Sequence, residues 1–475
     1  MAVVCCSYTR YMHQFPQHFT RQDFGDNFKW GVAISAFQNE GAALVDGKGK
    51  SIWDVFSTQK GKIKDRSHAQ TATDFYNRYT TDIFLARQLG FSIFRFSISW
   101  PRLIPGGTGA INNSGIAFYH RVIDTCLQAG LIPYVTLYHW DLPHALEQKG
   151  GWVHRGTVFA FEEFVRVCAR EYGDKVKNWI VLNEPFGFTS LGYMLGVHAP
   201  GKFGLSYFLP AVHHAALAQA AGGQVLREMV KDAVIGTTYS CSHMVPYTQN
   251  EQDIQAAARA DALFNRLFIE PALGLGYPVD AFPMLQRIER RYALWRDWDK
   301  LAFNFDYIGL QYYFPLTVRY NAFMPNLQLS EVKASSRQVP LTGLGWEISS
   351  KGLYDILHQF SAYKGVKKII ITEGGAAFPD RIAGGDVFDQ QRIDYFQEYL
   401  GAVLQARRDG MPVEGFFVWT LLDNFEWTEG YRARFGLVHV DFETQQRTVK
   451  ASGKWFRQFL QGGAMAGDGA TGLSQ

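Results

Sequence analysis

Eight short runs rich in β-branched and aromatic residues recur along the chain, at 28–35, 92–98, 132–138, 178–183, 234–240, 307–313, 367–373 and 413–420. Amphipathic helix patterns lie between most of them, at 73–89, 114–129, 158–172, 207–230, 348–363 and 390–408. Strand and helix in alternation imply parallel strands joined by crossover helices. Eight repeats within 475 residues favour a closed (β/α)8 TIM barrel over an open sheet. An open doubly wound sheet would offer a phosphate-binding glycine turn, yet Gly274-Leu275-Gly276 lacks the third glycine and no Walker-type loop occurs. No break in composition marks a linker between 30 and 460. The expected organisation is an extension over 1–22, one α/β barrel domain over 23–461 and a flexible small-residue tail over 462–475.

The strand over 367–373 is the most informative. Ile369, Ile370 and Ile371 in succession read as a strand covered on both faces, and the run ends at Glu373 followed by two glycines. That places a carboxylate at a strand's C-terminal end, where barrel enzymes carry their chemistry. A solvated charge at a strand exit is the plainer reading of Glu373 alone. Long connections follow the first, fourth, sixth and seventh runs, at 36–72, 184–206, 314–347 and 374–389. In a barrel all four lie on one face and wall a deep pocket.

Charge and cysteine content narrow the function class. Forty-seven basic against 44 acidic residues give +3 with no basic block, which argues against a nucleic-acid partner. Five scattered cysteines without Cys-x-x-Cys spacing suit a reducing compartment without structural zinc. Met1 to Arg10 lacks a basic region ahead of its short apolar run, and no segment approaches 18 unbroken apolar residues, so a soluble cytoplasmic protein without a membrane partner is expected. The 13 histidines include the pair His213-His214, which shares no metal-binding spacing and is assigned no metal.

Polar and aromatic residues collect at the strand ends: Gln38 after the first, Arg95 in the second, His139 and Trp140 after the third, Asn183-Glu184 at the fourth, Tyr313 at the sixth, and Trp419 to Trp427 after the eighth. Two strands thus end in glutamate. Paired carboxylates across a small pocket are what glycosidic cleavage needs, one to protonate the leaving oxygen and one to attack or to activate water. A sugar also wants an apolar platform and polar contacts round its rim, which Trp419 and Trp427 with Gln38, His139, Asn183 and Glu426 would supply. Plainer readings stand beside these: Glu184 as a helix cap, Trp100 and Trp419 as core aromatics, His139 as a satisfied core histidine. Arg95 inside an apolar strand is different, because a buried guanidinium demands an anionic partner.

Phe28 to Ala33 through Gln38-Asn39-Glu40-Gly41, Phe94 to Arg102, Tyr138-His139-Trp140-Asp141-Leu142-Pro143, Asn183-Glu184-Pro185, Ile371-Thr372-Glu373-Gly374 and Trp419 to Trp427 together resemble, in order, the motifs of glycoside hydrolase family 1, the β-glucosidase family. The resemblance covers about 24–460. It implies a retaining exo-β-glycosidase that removes terminal β-glucosyl units from cellobiose-type oligosaccharides or aryl β-glucosides, with galactosidase and fucosidase side activities open. Glu184 matches the acid/base and Glu373 the nucleophile; Arg95 and Tyr313 match the groups that orient Glu373, and Arg95 is expected to lower its pKa. Gln38, His139, Trp140, Asn183, Trp419, Glu426, Trp427 and Phe435 match substrate contacts. No cofactor or metal is implied. The family usually has Asn where Gly374 stands, Asn where Gln311 stands, and often Trp where Phe186 stands; the first is expected to loosen the turn after Glu373. Glu426 is not the Ser of phospho-glycosidases, and a carboxylate there repels a 6-phosphate. A transglycosidase on the same site and a sugar-binding protein without turnover are the alternatives.

Overall fold

Alternating apolar and β-branched side chains drive eight strands together: β1 (Lys29–Ala33), β2 (Ile93–Ser97), β3 (Ile132–Tyr138), β4 (Asn178–Asn183), β5 (Val234–Cys241), β6 (Tyr307–Tyr312), β7 (Ile369–Gly374) and β8 (Val413–Trp419). In the computed structural model, which describes residues 15–324 and 326–462, they close into a barrel in sequence order with β8 against β1. Every pairing in the barrel is parallel. The expected (β/α)8 architecture is therefore the observed one.

Helices α1 (Phe75–Gln88), α2 (Asn113–Gln128), α3 (Gly156–Tyr172), α4 (Leu205–Met229), α5 (Glu251–Asp261), α6 (Ser350–Ser361), α7 (Gln390–Arg408) and α8 (Ala451–Leu460) surround it. Their apolar stripes face the sheet, as α2 shows with Ile116, Tyr119, Val122, Ile123 and Cys126 buried at helical spacing.

The three isoleucines of β7 divide as the pleat requires. Ile369 and Ile371 join the large core beneath the helices, whereas Ile370 joins Ile93, Tyr134, Ile180, Tyr307 and Phe417 in a separate buried layer. Those six come from six strands and fill the barrel's interior toward its N-terminal end. Two residues further along, the interior turns polar with Arg95, Thr136, Thr238 and Thr372. The floor of the site is thus built from apolar side chains that exclude water beneath a polar ring.

Long βα loops rise over the C-terminal face. The loop after β6 carries Leu316–Tyr320 and Leu329–Glu331, which pair with Met244–Pro246 as a small sheet, and the loop after β7 folds into a hairpin of Arg381–Ala383 and Asp386–Phe388. Of the expected extension and tail, residues 1–14 and 463–475 lie outside the described residues. The packed body begins ahead of residue 23, since Phe19 is buried with its ring 5.7 Å from Phe24 and 6.0 Å from Phe459. No described helix is long and apolar enough to cross a membrane.

Candidate active site

Arg95 is the hub of the polar ring. Only 1% exposed, it donates from Nη1 to Glu373 Oε1 at 2.7 Å and to the Thr372 carbonyl at 2.8 Å, from Nη2 to Asn183 Oδ1 at 2.5 Å, and from Nε to Thr136 Oγ1 at 3.2 Å. The anionic partner demanded by its burial is Glu373. The other oxygen of that carboxylate, Oε2, accepts from Tyr313 Oη at 2.8 Å. Tyr313 is in turn packed edge-on against Trp346 and Phe435, with Phe435 in one buried cluster with Trp419. Phe435 therefore backs the wall that carries Tyr313.

Glu184 follows β4 directly, with φ 47° and ψ 65°, ahead of the short helix Pro185–Thr189. Its side chain caps none of that helix's amides, so the helix-cap reading fails. Asn183 is tied into the ring on three sides: Oδ1 accepts from Arg95 and from Gln311 Nε2 at 2.8 Å, Nδ2 lies 3.1 Å from His139 Nε2, and its carbonyl accepts from Trp140 Nε1 at 2.9 Å. The strands bearing the two glutamates each carry an irregular register near the site: β4 advances from Ile180 to Asn183 while β5 advances from Gly236 to Thr238. β7 shows a similar slip beside Glu373.

The two carboxyls differ in surroundings. Burial pushes both above the ordinary carboxylate range. For Glu184 the second cause is the negative charge of Glu373, which drives it further up; for Glu373 burial is opposed by Arg95 and by hydrogen bonds from Tyr313, Arg95 and Gln311. The expected lowering of the Glu373 pKa by Arg95 is present but outweighed. Arg95 does pull in that direction, but desolvation in a site only 3% exposed is the larger effect. Their order is as expected, Glu373 ionising before Glu184.

The rest of the rim comes from β1, β3 and β8. Gln38 Oε1 accepts from Ser35 Oγ at 2.6 Å, leaving Nε2 near Asn424 Oδ1 at 3.2 Å and Glu426 Oε2 at 3.4 Å. Burial, then the charge of Glu373, raises Glu426 to about 8, with Trp419 and Gln38 as hydrogen-bond donors. The His139 ring stacks at 5.9 Å on Trp419 and at 6.0 Å on Trp427; its Nδ1 is buried without a partner among the described residues, and burial keeps it neutral. Trp140 stacks on Trp427 at 4.7 Å.

The site residues expected from sequence thus gather at the C-terminal face, all but Glu184 tied together by hydrogen bonds or ring packing and Glu184 coupled to them through the charge of Glu373. Trp100 is not among them: buried against Phe164 at 5.0 Å, it is a core aromatic. His213 and His214 bond Asp297 and the Trp152 carbonyl, as core histidines. Sequence reading passed over Trp53 and Phe37, which pack against Trp427 at 4.6 and 6.0 Å, and Trp346 beside Tyr313. Trp53 and Trp346 stand in long loops without periodicity, and no local signal marks them. Among the described residues Asp380, Asp423 and His439 lie close enough to share a metal ion, but Lys450 Nζ already stands 2.8 Å from both carboxylates.

Known proteins resemble this chain over most of its length. The model of glycosyl hydrolase family 1 matches residues 20–464. β-Glucosidase A of Thermotoga maritima is 42% identical over 444 residues, 92% of this chain and 98% of that protein. A 1,4-β-D-glucan glucohydrolase of Thermotoga neapolitana is 41% identical over 442 residues, with 92% and 98% covered. The solved structure of the Thermotoga maritima β-glucosidase in complex with glucoimidazole superposes with a TM-score of 0.87 at 40% identity, covering 95% of this chain and 99% of that one.

Proposed function

The chain belongs to glycosyl hydrolase family 1 and is a glycoside hydrolase, and from that premise we propose that it is a retaining exo-β-glucosidase in which Glu373 is the nucleophile and Glu184 the acid/base. The observation that carries this is the inequality of two buried carboxyls at the ends of β4 and β7. One is held by a cation and a phenol in direct contact; the other contacts neither among the described residues and feels Arg95 only at longer range.

In the first step Glu184, protonated, gives its proton to the glycosidic oxygen as Glu373 attacks the anomeric carbon, and the aglycone leaves as an alcohol. Arg95 and Tyr313 aim the attacking carboxylate and favour its ionised form. Esterification then removes the charge on Glu373, which is the largest electrostatic influence raising Glu184. Glu184, left ionised by the first proton transfer and no longer opposed by that charge, takes a proton from water as the water oxygen attacks the anomeric carbon and displaces Glu373 with a second inversion. Net retention follows.

Gln38, His139, Asn183, Glu426 and Trp427 hold the hydroxyls of a terminal glucosyl unit over Trp419. Phe186, two residues beyond Glu184, packs at 4.4 Å on Phe264 and gives an apolar wall suited to aryl aglycones as well as short β-linked gluco-oligosaccharides of the kind cellulose breakdown yields. The buried free thiols of Cys126, Cys168 and Cys241 favour a reducing, cytoplasmic setting.

A 2-deoxy-2-fluoro-β-glucoside with an activated leaving group tests the assignment. Peptide mass spectrometry is expected to find the fluoroglucosyl ester on Glu373. Label on another carboxylate, or none with turnover intact, contradicts it.

A further inference from the structure

Strand β7 carries one residue more than either neighbour where it enters the site. Against β6, Ile371 and Glu373 lie opposite Leu310 and Gln311; against β8, Ile371 and Gly374 lie opposite Phe416 and Val418. An extra residue shifts the in-and-out alternation by one. Thr372 and Glu373, adjacent in sequence, therefore both reach the interior: the Thr372 hydroxyl meets that of Thr238, and Glu373 meets Arg95. In a regular strand Glu373 would follow Ile369 and Ile371 toward the helices.

Missing side chains leave room for this bulge on both sides. A Cβ on Gly309 of β6 would lie 2.6 Å from Thr238 Oγ1 and 2.9 Å from Thr372 Cγ2. A Cβ on Gly374 would lie 2.5 Å from Cζ and 2.9 Å from Cε2 of Phe416, and one on Gly375 only 1.9 Å from the Trp419 carbonyl oxygen. Gly374 is not among the positive-φ glycines, so space alone, not backbone conformation, demands glycine there. Phe416 faces away from the site: it is fully buried in the core beneath the helices, 6.4 Å from Phe396 of α7. Its ring is the surface on which the bulge rests.

We propose that Gly374 and Phe416 are a matched pair of positioning residues, whose close approach fixes the bulge and so the placement of the Glu373 carboxylate between Arg95 and Tyr313. The proposal rests on Glu373 being the nucleophile. Neither residue touches substrate; both act through the strand. A displacement of about 1 Å at a reacting group costs on the order of 10²-fold in rate.

The test is the rate at which the 2-fluoroglucoside esterifies Glu373, read with the inhibition constant for glucose, in Gly374→Ala, Phe416→Leu and the double variant. Gly374→Ala is expected to slow esterification about 10²-fold with the glucose constant unchanged, since the glycone contacts lie on other strands. Phe416→Leu is expected to slow it less. The double variant is expected to recover about tenfold over Gly374→Ala, because the added methyl then has room. Esterification at the unmodified rate in Phe416→Leu overturns the proposal even where Gly374→Ala fails to fold, and so does a double variant no faster than Gly374→Ala. If the unmodified enzyme is not labelled at Glu373, the nucleophile assignment falls first and the proposal with it.

Discussion

Replacing Arg95 by methionine removes the one cation in contact with Glu373 among the described residues and leaves an unbranched apolar side chain in its place. The guanidinium Nη1 stands 2.7 Å from Oε1. Taking the charge centres as about 4 Å apart at an effective dielectric near 20, the attraction is about 4 kcal/mol, or about three pKa units. That is the upper end of the one to three units such a neighbour usually exerts. The sign is fixed by which form the cation favours: Arg95 stabilises ionised Glu373 against burial, so its loss lets burial act unopposed and the pKa rises further. Attack requires the ionised form. The acid limb of kcat/KM for an aryl β-glucoside with a good leaving group, which relieves Glu184 of its task, should move upward by about 1–3 pH units. At a fixed pH below the new limb the loss is about 10- to 10³-fold, and activity returns as pH rises. A limb at the unmodified pH, or lower, would show that Arg95 does not set the ionisation of Glu373.

Glu184→Gln keeps the shape of the side chain and removes its proton transfer; hydrolysis of glucosides with poor leaving groups should fall about 10²- to 10⁴-fold, and those with activated phenols much less in the first step. Steady-state rates across a leaving-group series check it. Tyr313→Phe deletes the 2.8 Å hydrogen bond to Glu373, a bond to a charged group of about 1.5–3 kcal/mol, so a 10- to 10²-fold slower esterification is expected in single-turnover kinetics. Glu426, raised from 4.5 to about 8 in the fold, keeps a proton that the unfolded chain gives up. Its contribution therefore makes the fold less stable as pH rises through that window, and Glu426→Gln should lose less stability between pH 5 and 8 in urea titrations than the unmodified enzyme does.

How far the sequence reaches can be judged from β7 itself. Three isoleucines ending at a charge and two glycines are a local pattern, and local patterns survive into the fold: the strand, its burial on both faces and the position of Glu373 at its end all follow. Arg95 was legible for a similar reason, because a guanidinium in an apolar strand needs a partner wherever the strand lies. What could not be read depends on neighbours distant in sequence. The bulge that turns Glu373 inward exists only relative to β6 and β8. Gly374 and Gly375, expected to loosen the turn, instead let it close tightly on Phe416 and the Trp419 carbonyl. The net direction of the Glu373 pKa needed the depth of burial as well as the contact with Arg95, and charge pairing alone suggested the opposite sign.

The anomer released at the first turnover tests the two-step displacement most directly. Proton NMR of a nitrophenyl β-glucoside digest, read before mutarotation, should show β-glucose appearing first and the α-anomer only as the mixture equilibrates. Initial release of α-glucose would mean a single inversion, with Glu373 activating water in place of attacking carbon, and would contradict the account at its centre.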